Sequence, residues 1–395
     1  MRIGGMVDSV LNPTVDGAAR QTLDRTRPRV REFAAVVDAL ASDGGGRIAE
    51  AAARATSVTR QHFGKAIRLF APLYLSNECI NNCAYCGFSR DNEILRVTLT
   101  PDQVEAEADF LLGQGFRNLL LVAGEHPRFV SNGYLEEVLK RLSRKVPSLA
   151  IEVAPMEEPE YARMVGAGAE GVVVYQETYD ASIYAELHTA GPKRDYAWRL
   201  ECPDRAYRAG VRRIGVGALL GLRSWREEAV DLAAHLDGLL RRCWKAQFTV
   251  SLPRLRPCAG GYQAQEPVTD RSLLILMIAF RLVFPQVGLV LSTREPKSLR
   301  DLLLPLGVTM ASAGSHTEPG GYTGQAKQDL HLTVRGRRVD VALDEADEAT
   351  GQFDISDDRS PAEMAQVLAD LGLEAVWKDW DASILSDGVG VGCVR

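Results

Sequence analysis

The stretch LYLSNECINNCAYCGFSR (residues 73–90) places Cys79, Cys83 and Cys86 on one short loop, in a C-x3-C-x2-C pattern. Three thiolates spaced in this way can bind three irons of a cubane [4Fe–4S] cluster. The fourth iron then has no protein ligand and is open to a substrate or a cofactor. The alternative is a structural zinc site, which normally has four protein ligands. The nearest further candidate, His62, lies in a predicted helix, so the pattern favours an iron–sulfur cluster.

The composition narrows the class of protein. The 395 residues suffice for two or three average domains, or for one large α/β barrel with additions, and 46% of them are apolar. A net charge of −6 argues against a nucleic-acid partner, and the absence of a run of 18 apolar residues argues against a membrane span. No signal peptide is apparent, and the remaining cysteines are too scattered for a disulfide framework. We therefore expect a protein of the reducing cytoplasm.

Strand-like apolar runs alternate with helix signals through most of the chain. The alternation predicts a parallel sheet, and eight strands can close a TIM-type (β/α)8 barrel, predicted at residues 67–320 after a helical extension at residues 1–66. The alternative is an open, six-stranded partial barrel with two later strands outside it. A capping box at Thr100-Pro101-Asp102-Gln103 predicts one helix start, and residues 226–244 are amphipathic. The eight runs are residues 70–75, 118–122, 149–153, 170–175, 212–218, 248–252, 287–292 and 308–312.

The alternation stops after residue 320, which predicts a C-terminal extension at residues 321–395 that packs on the barrel. Residues 331–343 alternate with period two around Arg335-Gly336, which predicts a hairpin. Residues 340–358 contain eight acidic side chains, and we expect a solvated loop there rather than a metal site. Residues 361–371 are predicted to form a helix capped by Ser360.

Polar residues follow nearly every predicted strand, at the end where parallel barrels have their active sites. The sequence therefore predicts a large polar cavity at this mouth. Gly124 would let the backbone approach a ligand closely. Glu125, beside the cysteine loop, could bind a cationic amino group, or it could be an ordinary turn carboxylate. The other residues at these strand ends include Glu152, Tyr175, Gln176, Glu177, Arg254, Arg256, Arg294, Ser312 and Ser315.

Arginines at two of these strand ends have both a functional and a structural interpretation. Arg294 could hold a carboxylate in a bidentate manner, or it could form an ion pair with Glu295 or Asp301. We favour the functional interpretation. For Arg254 and Arg256, substrate binding and fixation of their own loop are equally consistent with the sequence.

The cysteine pattern resembles that of the radical S-adenosylmethionine (SAM) enzymes, and longer stretches resemble the 2-iminoacetate synthases of bacterial thiazole (thiamine) biosynthesis. They occur in the family's order and cover about three quarters of the chain. These stretches are PLYLSNECINNCAYCGFS (72–89), LLLVAGEH (119–126), VVYQETY (173–179), WRLECPDR (198–205), PRLRPCAGG (253–261), STREP (292–296), EPGGY (318–322) and VWKDWD (376–381).

The resemblance implies a full (β/α)8 barrel with a [4Fe–4S] cluster on Cys79, Cys83 and Cys86, and SAM on the open iron. It implies cleavage of the Cα–Cβ bond of L-tyrosine to 2-iminoacetate (dehydroglycine) and p-cresol, while SAM is reduced to methionine and 5′-deoxyadenosine. It also implies thiazole synthase and a flavodoxin or ferredoxin reductant as partners. The implied SAM ligands are Gly124, Glu125, Glu152, Gln176, Glu177 and Arg199, and the implied substrate ligands are Arg294 with Ser312 or Ser315.

Departures from the family pattern leave alternatives open. The segment LEAVWKDWDASIL (373–385) has no CxxC, whereas a relative in hydrogenase maturation has C-terminal cysteines for a second cluster. The 331–358 region is longer than expected for the thiazole enzyme. A homologue acting on another aromatic amino acid, such as tryptophan, in natural-product biosynthesis is the second hypothesis. A third is a non-catalytic iron–sulfur or zinc scaffold, which predicts a fully ligated metal.

Overall fold

Parallel strands and helices alternate through most of the chain, as the sequence predicts. The computed structural model describes residues 23–334, 337–344 and 347–378. The strands are β1 (Ala66–Ser76), β2 (Asn82–Cys83), β3 (Asn118–Ala123), β4 (Ser148–Glu152), β5 (Gly171–Glu177), β6 (His188–Ala190), β7 (Arg213–Ala218), β8 (Gln247–Ser251), β9 (Gly288–Leu291), β10 (Met310–Ser312), β11 (Leu332–Val334), β12 (Arg337–Val339) and β13 (Glu374–Val376). The helices are α1 (Pro28–Ala41), α2 (Gly46–Phe63), α3 (Pro101–Gly113), α4 (Asn132–Leu142), α5 (Glu158–Gly166), α6 (Ala181–Leu187), α7 (Tyr196–Leu200), α8 (Cys202–Arg208), α9 (Trp225–Arg242), α10 (Asp270–Val283), α11 (Lys297–Leu303) and α12 (Pro361–Asp370).

A closed parallel barrel forms the centre of the fold. Its strands are neighbours in the order β1, β3, β4, β5, β7, β8, β9 and β10. The barrel closes because β10 pairs with β1, where Arg68 lies opposite Met310 and Phe70 lies opposite Ser312. The predicted eight-stranded barrel is confirmed, and the open six-stranded alternative is wrong. The C-terminal ends of these strands define one mouth of the barrel.

Local sequence signals set several helix starts. The side chain of Thr100 accepts a hydrogen bond from the Gln103 amide (3.3 Å), and Gln103 Oε1 accepts one from the Thr100 amide (2.8 Å). Ser360 and Glu363 form the same reciprocal pair at the start of α12. These bonds satisfy backbone N–H groups that have no partner within the helix. Both predicted caps are therefore present.

The segment before the barrel consists of α1 and α2, which pack against the outer helices α9 and α10. Phe33 of α1 is fully buried, and its ring centroid lies 4.5 Å from that of Phe280 in α10. This apolar contact attaches the N-terminal helices to the side of the barrel, away from the mouth. Within the described residues, no helix is both long enough and apolar enough to cross a membrane.

After the barrel, the chain forms a small hairpin and later adds one strand beside β1. β11 and β12 pair antiparallel, as the alternation predicts, and their predicted turn at residues 335–336 lies outside the described residues. β13 pairs parallel with the start of β1, where Ala66 lies opposite Glu374. The C-terminal part therefore packs against the same first strand that carries the cysteine loop.

The prediction of a solvated acidic loop at residues 340–358 holds for Asp354 and Asp358, which are exposed, but is wrong for Asp357. Asp357 is fully buried and forms ion pairs with Arg300 of α11, also fully buried, and with Arg359. The amides of Ser356 and Asp357 donate to the Thr293 carbonyl, at 2.8 and 3.1 Å. These contacts hold residues 349–357 across the mouth of the barrel. The acidic content was misleading because Asp357 neutralises buried arginines instead of facing water.

Candidate active site

The three cysteines lie together on the loop that follows β1. Cys83 is buried, whereas Cys79 and Cys86 are partly exposed. Burial raises the pKa of Cys86 to about 11, and the negative charge of Cys79 contributes to the rise. Burial likewise raises the pKa of Cys83, with contributions from Cys86 and Cys79. Thiolates this close to one another need a compensating positive charge, which metal coordination provides.

Arg96 fixes the cysteine loop through hydrogen bonds to its backbone carbonyls. Its fully buried guanidinium donates hydrogen bonds to the carbonyls of Asn77 (2.6 Å), Phe88 (3.2 Å), Ser89 (2.8 Å) and Asn92 (3.3 Å). One side chain therefore joins the two ends of the loop that carries the cysteines. Sequence reasoning did not identify Arg96, because its partners are backbone atoms that leave no residue pattern.

A second support comes from the segment after α6. β2 pairs antiparallel with β6, where Cys83 lies opposite His188. The Tyr85 hydroxyl lies 2.6 Å from His188 Nε2, and the Lys193 amide donates to Asn81 Oδ1 at 2.9 Å. The loop is thus held on both sides by protein contacts.

Glu125 is attached to the cysteine loop directly. Its Oε2 accepts a hydrogen bond from Asn81 Nδ2 at 2.6 Å, and its carbonyl accepts one from the Ile80 amide at 2.8 Å. The same Asn81 amide points at Cys79 Sγ, 3.7 Å away. Gly124 has a steric role, because a Cβ atom there would collide with the Glu78 carbonyl oxygen. The structure thus places both residues beside the cysteines, as predicted.

A cavity opens at the mouth of the barrel next to this loop. Arg294 lines it, and its guanidinium stacks on the Phe353 ring at 3.3 Å. The ion-pair alternative for Arg294 fails, because Glu295 pairs with Arg254 and Asp301 pairs with Arg359. Other polar side chains that line the cavity include Tyr74, Glu152, Tyr175, Ser251, Ser292, Thr293, Glu295, Ser312, Ser315, Thr317 and Gln352.

Arg254 and Arg256, for which the sequence leaves two interpretations, have different surroundings in the structure. Arg254 fixes its own loop, since it also binds Asp270 Oδ1 and the Val268 carbonyl, at 2.8 and 2.9 Å. Arg256 is partly buried on the same loop and does not line the cavity. The geometry supports the structural interpretation for Arg254 and does not support substrate binding by Arg256.

In the cavity, Glu152 has a shifted pKa and Ser315 has a hydroxyl group without a hydrogen-bond partner. Burial and the nearby charge of Glu177 raise the pKa of Glu152 to about 7, although Arg294 opposes the rise. The Oγ atom of Ser315 is buried without a hydrogen-bond partner. The Oγ of Ser312 accepts a bond from the Thr293 amide at 3.1 Å, so it shapes the strand end. A buried hydroxyl with no partner loses free energy unless a ligand pairs with it.

Positive charge surrounds Glu177 at the end of β5. Its backbone is left-handed (φ 71°), at a bulge where the register with β7 shifts. Glu177 Oε1 binds Lys193 Nζ at 2.8 Å and lies 3.6 Å from Arg199. Burial opposes its ionisation, but these cations outweigh that effect and lower the pKa of Glu177. Lys193 and Arg199 therefore neutralise the buried Glu177 carboxylate.

Gln176 is the extra residue of that bulge, and it points elsewhere. Its side-chain amide donates to the Tyr196 carbonyl of α7 at 3.3 Å, and it does not line the cavity. Its role as a SAM ligand stays a prediction. The bulge turns the side chain towards the helices, a change of direction that strand alternation alone does not predict.

The cysteine loop suits a cubane better than a single ion. Within the described parts of the chain, no three His, Cys, Asp or Glu side chains are arranged around one metal ion. A structural zinc site requires such convergence, whereas a cubane does not, because each cysteine binds a different iron. His62, the zinc alternative, lines a cavity at the opposite end of the barrel. Amide N–H groups of Asn81 and Gln352 point at cysteine sulfurs, as suits metal-bound thiolates.

Comparison with known proteins agrees with this geometry. The family model of the radical SAM superfamily matches residues 73–236, and that of the Biotin and Thiamin Synthesis associated domain matches residues 251–374. The solved HydG from Carboxydothermus hydrogenoformans, an FeFe-hydrogenase maturase, shares 34% sequence identity, with a TM-score of 0.75 over 87% of this chain and 77% of that chain. The barrel, its cysteine loop and these matches define a radical SAM enzyme, which uses a [4Fe–4S] cluster and SAM.

Closer relatives identify the group within this superfamily. The 2-iminoacetate synthase of Escherichia coli (strain K12) is 42% identical over 338 residues, which cover 85% of this chain and 84% of the relative. That of Salmonella typhimurium is 42% identical over 332 residues, which cover 84% and 82%. The chain belongs to the 2-iminoacetate synthase family. Membership of an enzyme family does not support the scaffold hypothesis.

Proposed function

We propose that this protein cleaves the Cα–Cβ bond of L-tyrosine to 2-iminoacetate and p-cresol for thiazole biosynthesis. The observation that carries the proposal is the environment of Arg294. This arginine lies in the cavity beside the cysteine loop and has no ion-pair partner among the described residues. The chain that contains it belongs to the 2-iminoacetate synthase family. A guanidinium in such a cavity suits the carboxylate of an amino acid. When bound, the cluster and SAM supply a 5′-deoxyadenosyl radical for hydrogen abstraction from the substrate.

Residues around the loop would hold the cofactors. Cys79, Cys83 and Cys86 would bind three irons, and Glu125, already oriented by Asn81, would accept hydrogen bonds from the amino group of SAM. Arg199 is the candidate for the SAM carboxylate, because it is a cation at the loop side of the barrel. These assignments rest on proximity to the cysteines and on charge.

The cavity offers partners for the carboxylate and the ammonium group of the amino acid. Arg294 would bind the carboxylate, and Ser315 Oγ, buried without a partner, would donate a second hydrogen bond to it. Glu152 faces the same space with a pKa of about 7. It would accept a proton from the substrate ammonium, leaving an amine whose N–H bond is open to hydrogen abstraction. Its position beside Arg294 supports this role over that of a SAM ligand.

Water exclusion is assigned to residues 349–357. Phe353 covers Arg294, and the Gln352 amide donates to the Thr317 carbonyl at 3.0 Å, across the mouth of the cavity. A carbon-centred radical reacts with any accessible neighbour, so the site needs a closed wall. An apolar ring over the guanidinium also strengthens its interaction with a carboxylate by removing water.

The test is an anaerobic assay of the reconstituted and reduced protein with SAM and L-tyrosine, in which p-cresol is measured by chromatography. We expect p-cresol and 5′-deoxyadenosine in comparable amounts, and neither product from a Cys86→Ala variant. A parallel reaction contains L-tryptophan in place of tyrosine. Turnover of tryptophan without p-cresol from tyrosine would contradict the substrate assignment and keep the radical chemistry.

We also propose a flavodoxin or ferredoxin as the electron donor, thiazole synthase as the partner that uses the product, and a cytoplasmic location. The six described cysteines form no disulfide bonds, which suits a reducing compartment. The division of the chain at residues 66 and 320 stays a prediction. A pull-down of thiazole synthase by the reconstituted protein would test the partner assignment.

A further inference from the structure

The side chain of Gln352 connects the cysteine loop to the substrate cavity. Its Nε2 lies 3.9 Å from Cys86 Sγ, within hydrogen-bond range for sulfur, and its Oε1 accepts a bond from the Tyr74 hydroxyl at 2.8 Å. Tyr74 and Gln352 both line the cavity that contains Arg294. One amide therefore contacts a cysteine on one side and a residue of the substrate cavity on the other.

The position of Gln352 is fixed by its surroundings. The Gly87 amide donates to the Gln352 carbonyl at 3.1 Å, and the Gln352 amide donates to the Thr317 carbonyl. The ring of the next residue, Phe353, stacks on the Arg294 guanidinium, and the buried Asp357 anchors the segment to Arg300. An amide held in this way keeps its N–H aimed at sulfur and does not rotate freely into solvent.

We propose that Gln352 is a positioning residue that sets the reduction potential of the cluster and links it to substrate binding. This inference rests on the proposed function, because it assigns Cys86 to the cluster and the cavity to the amino acid. A hydrogen bond to a ligand sulfur stabilises the reduced, more negative cluster and so raises its potential. An amino acid that contacts Tyr74 would change the bond to Gln352 and, through it, the bond to Cys86.

The experiment is an anaerobic redox titration of the reconstituted protein, followed by electron paramagnetic resonance with and without L-tyrosine. For Gln352→Leu we expect about a tenfold lower ratio of reduced to oxidised cluster at a fixed ambient potential, which corresponds to about 59 mV for a one-electron couple. Wild type should show a tyrosine-dependent change in potential or spectrum that Gln352→Leu loses. Tyr74→Phe should keep the potential and lose the tyrosine effect.

Matched variants separate this role from a general loss of structure. Gln366→Leu alters an exposed glutamine of α12 and should match wild type in every measurement. Gln352→Glu keeps the shape and the acceptor for Tyr74 but removes the N–H donor when ionised, so it should also lower the potential. The Gln352→Glu variant tests the same role if the Gln352→Leu protein fails to assemble a cluster.

The outcomes distinguish the inference from the proposed function. An unchanged potential in both Gln352 variants, together with p-cresol formation by wild type, would overturn the inference alone. A wild-type protein that assembles no cluster would overturn the cysteine assignment and the inference with it. A lower potential in the Gln352 variants and a tyrosine effect that requires Tyr74 would support the proposal.

Discussion

The contact between Gly87 and the C-terminal segment gives a steric test of how the cysteine loop is held. A Cβ atom on residue 87 would lie 2.6 Å from the Gln352 carbonyl oxygen and 2.7 Å from that of Gly351. Ordinary van der Waals contact begins at 3.4 Å, so Gly87→Ala requires one backbone to move by about 0.8 Å. The φ angle of Gly87 is not in the left-handed region, so alanine meets no conformational barrier there.

The displacement is large compared with the tolerance of a functional site. Sites of this kind work within about 0.5 Å of their productive geometry, and overpacking costs about 1–3 kcal/mol. Because Gly87 follows Cys86 directly, we expect Gly87→Ala to lower both the iron content after reconstitution and the rate of p-cresol formation, the latter by about tenfold or more. Iron analysis, the absorption spectrum and the anaerobic assay measure these effects.

A control substitution separates this effect from a general effect of alanine. A Cβ atom on Gly113 of α3 would have no neighbouring atom within 4 Å, so Gly113→Ala should preserve iron content while raising stability by up to about 1 kcal/mol. Full iron content and activity in Gly87→Ala would refute the reasoning, because they would mean that residues 351–352 do not constrain the loop.

Three further predictions concern charges in and around the cavity. Arg294→Lys loses the bidentate geometry, and kcat/KM for tyrosine should fall about 10- to 100-fold in steady-state assays, while SAM binding measured by calorimetry is unchanged. Asp357→Ala leaves Arg300 buried without its charge partner and should destabilise the protein by about 3–5 kcal/mol in urea unfolding, whereas Asp358→Ala, which alters an exposed pair, should cost less than about 1 kcal/mol. The raised pKa of Glu152, about 7 against an ordinary 4.5, means that the folded protein binds more protons than the unfolded chain between these values, so stability falls as the pH rises through this window. The Glu152→Gln variant lacks this contribution, so its free energy of unfolding in urea should fall less between pH 5 and pH 8 than that of wild type.

The parts of the fold that the sequence predicts well are those specified by neighbouring residues. The apolar run at residues 170–175 becomes β5, and the capping residues of α3 and α12 form the expected bonds. Strand periodicity and caps depend on residues a few positions apart, so they are visible in one sequence. The cysteine spacing belongs to the same group, since all three cysteines lie within eight residues.

The parts that the sequence does not predict depend on distant partners. Gln352 and Cys86 are separated by 266 residues, and neither position carries a signal of the other. The acidic composition of residues 340–358 predicts exposure on average, yet Asp357 is buried because α11 presents Arg300 to it. Arg96 binds backbone carbonyls, which have no sequence signature. In each case the tertiary partner, not the local pattern, decides the environment of the side chain.

The C-terminal segment, through Gln352 and Phe353, lines the candidate active site although it lies outside the barrel topology. A chain that ended at residue 320 would keep all eight barrel strands, and by strand order it would be complete. It would nevertheless leave Arg300 buried without Asp357, Arg294 without the ring of Phe353, and Cys86 without the amide of Gln352. The first loss lowers stability, the second opens the cavity to water, and the third alters the electrostatics of the cysteine loop. The match of the second family domain to residues 251–374 spans both the last barrel strands and this segment, so the family domain, unlike the strand order, includes the residues that cover the cavity.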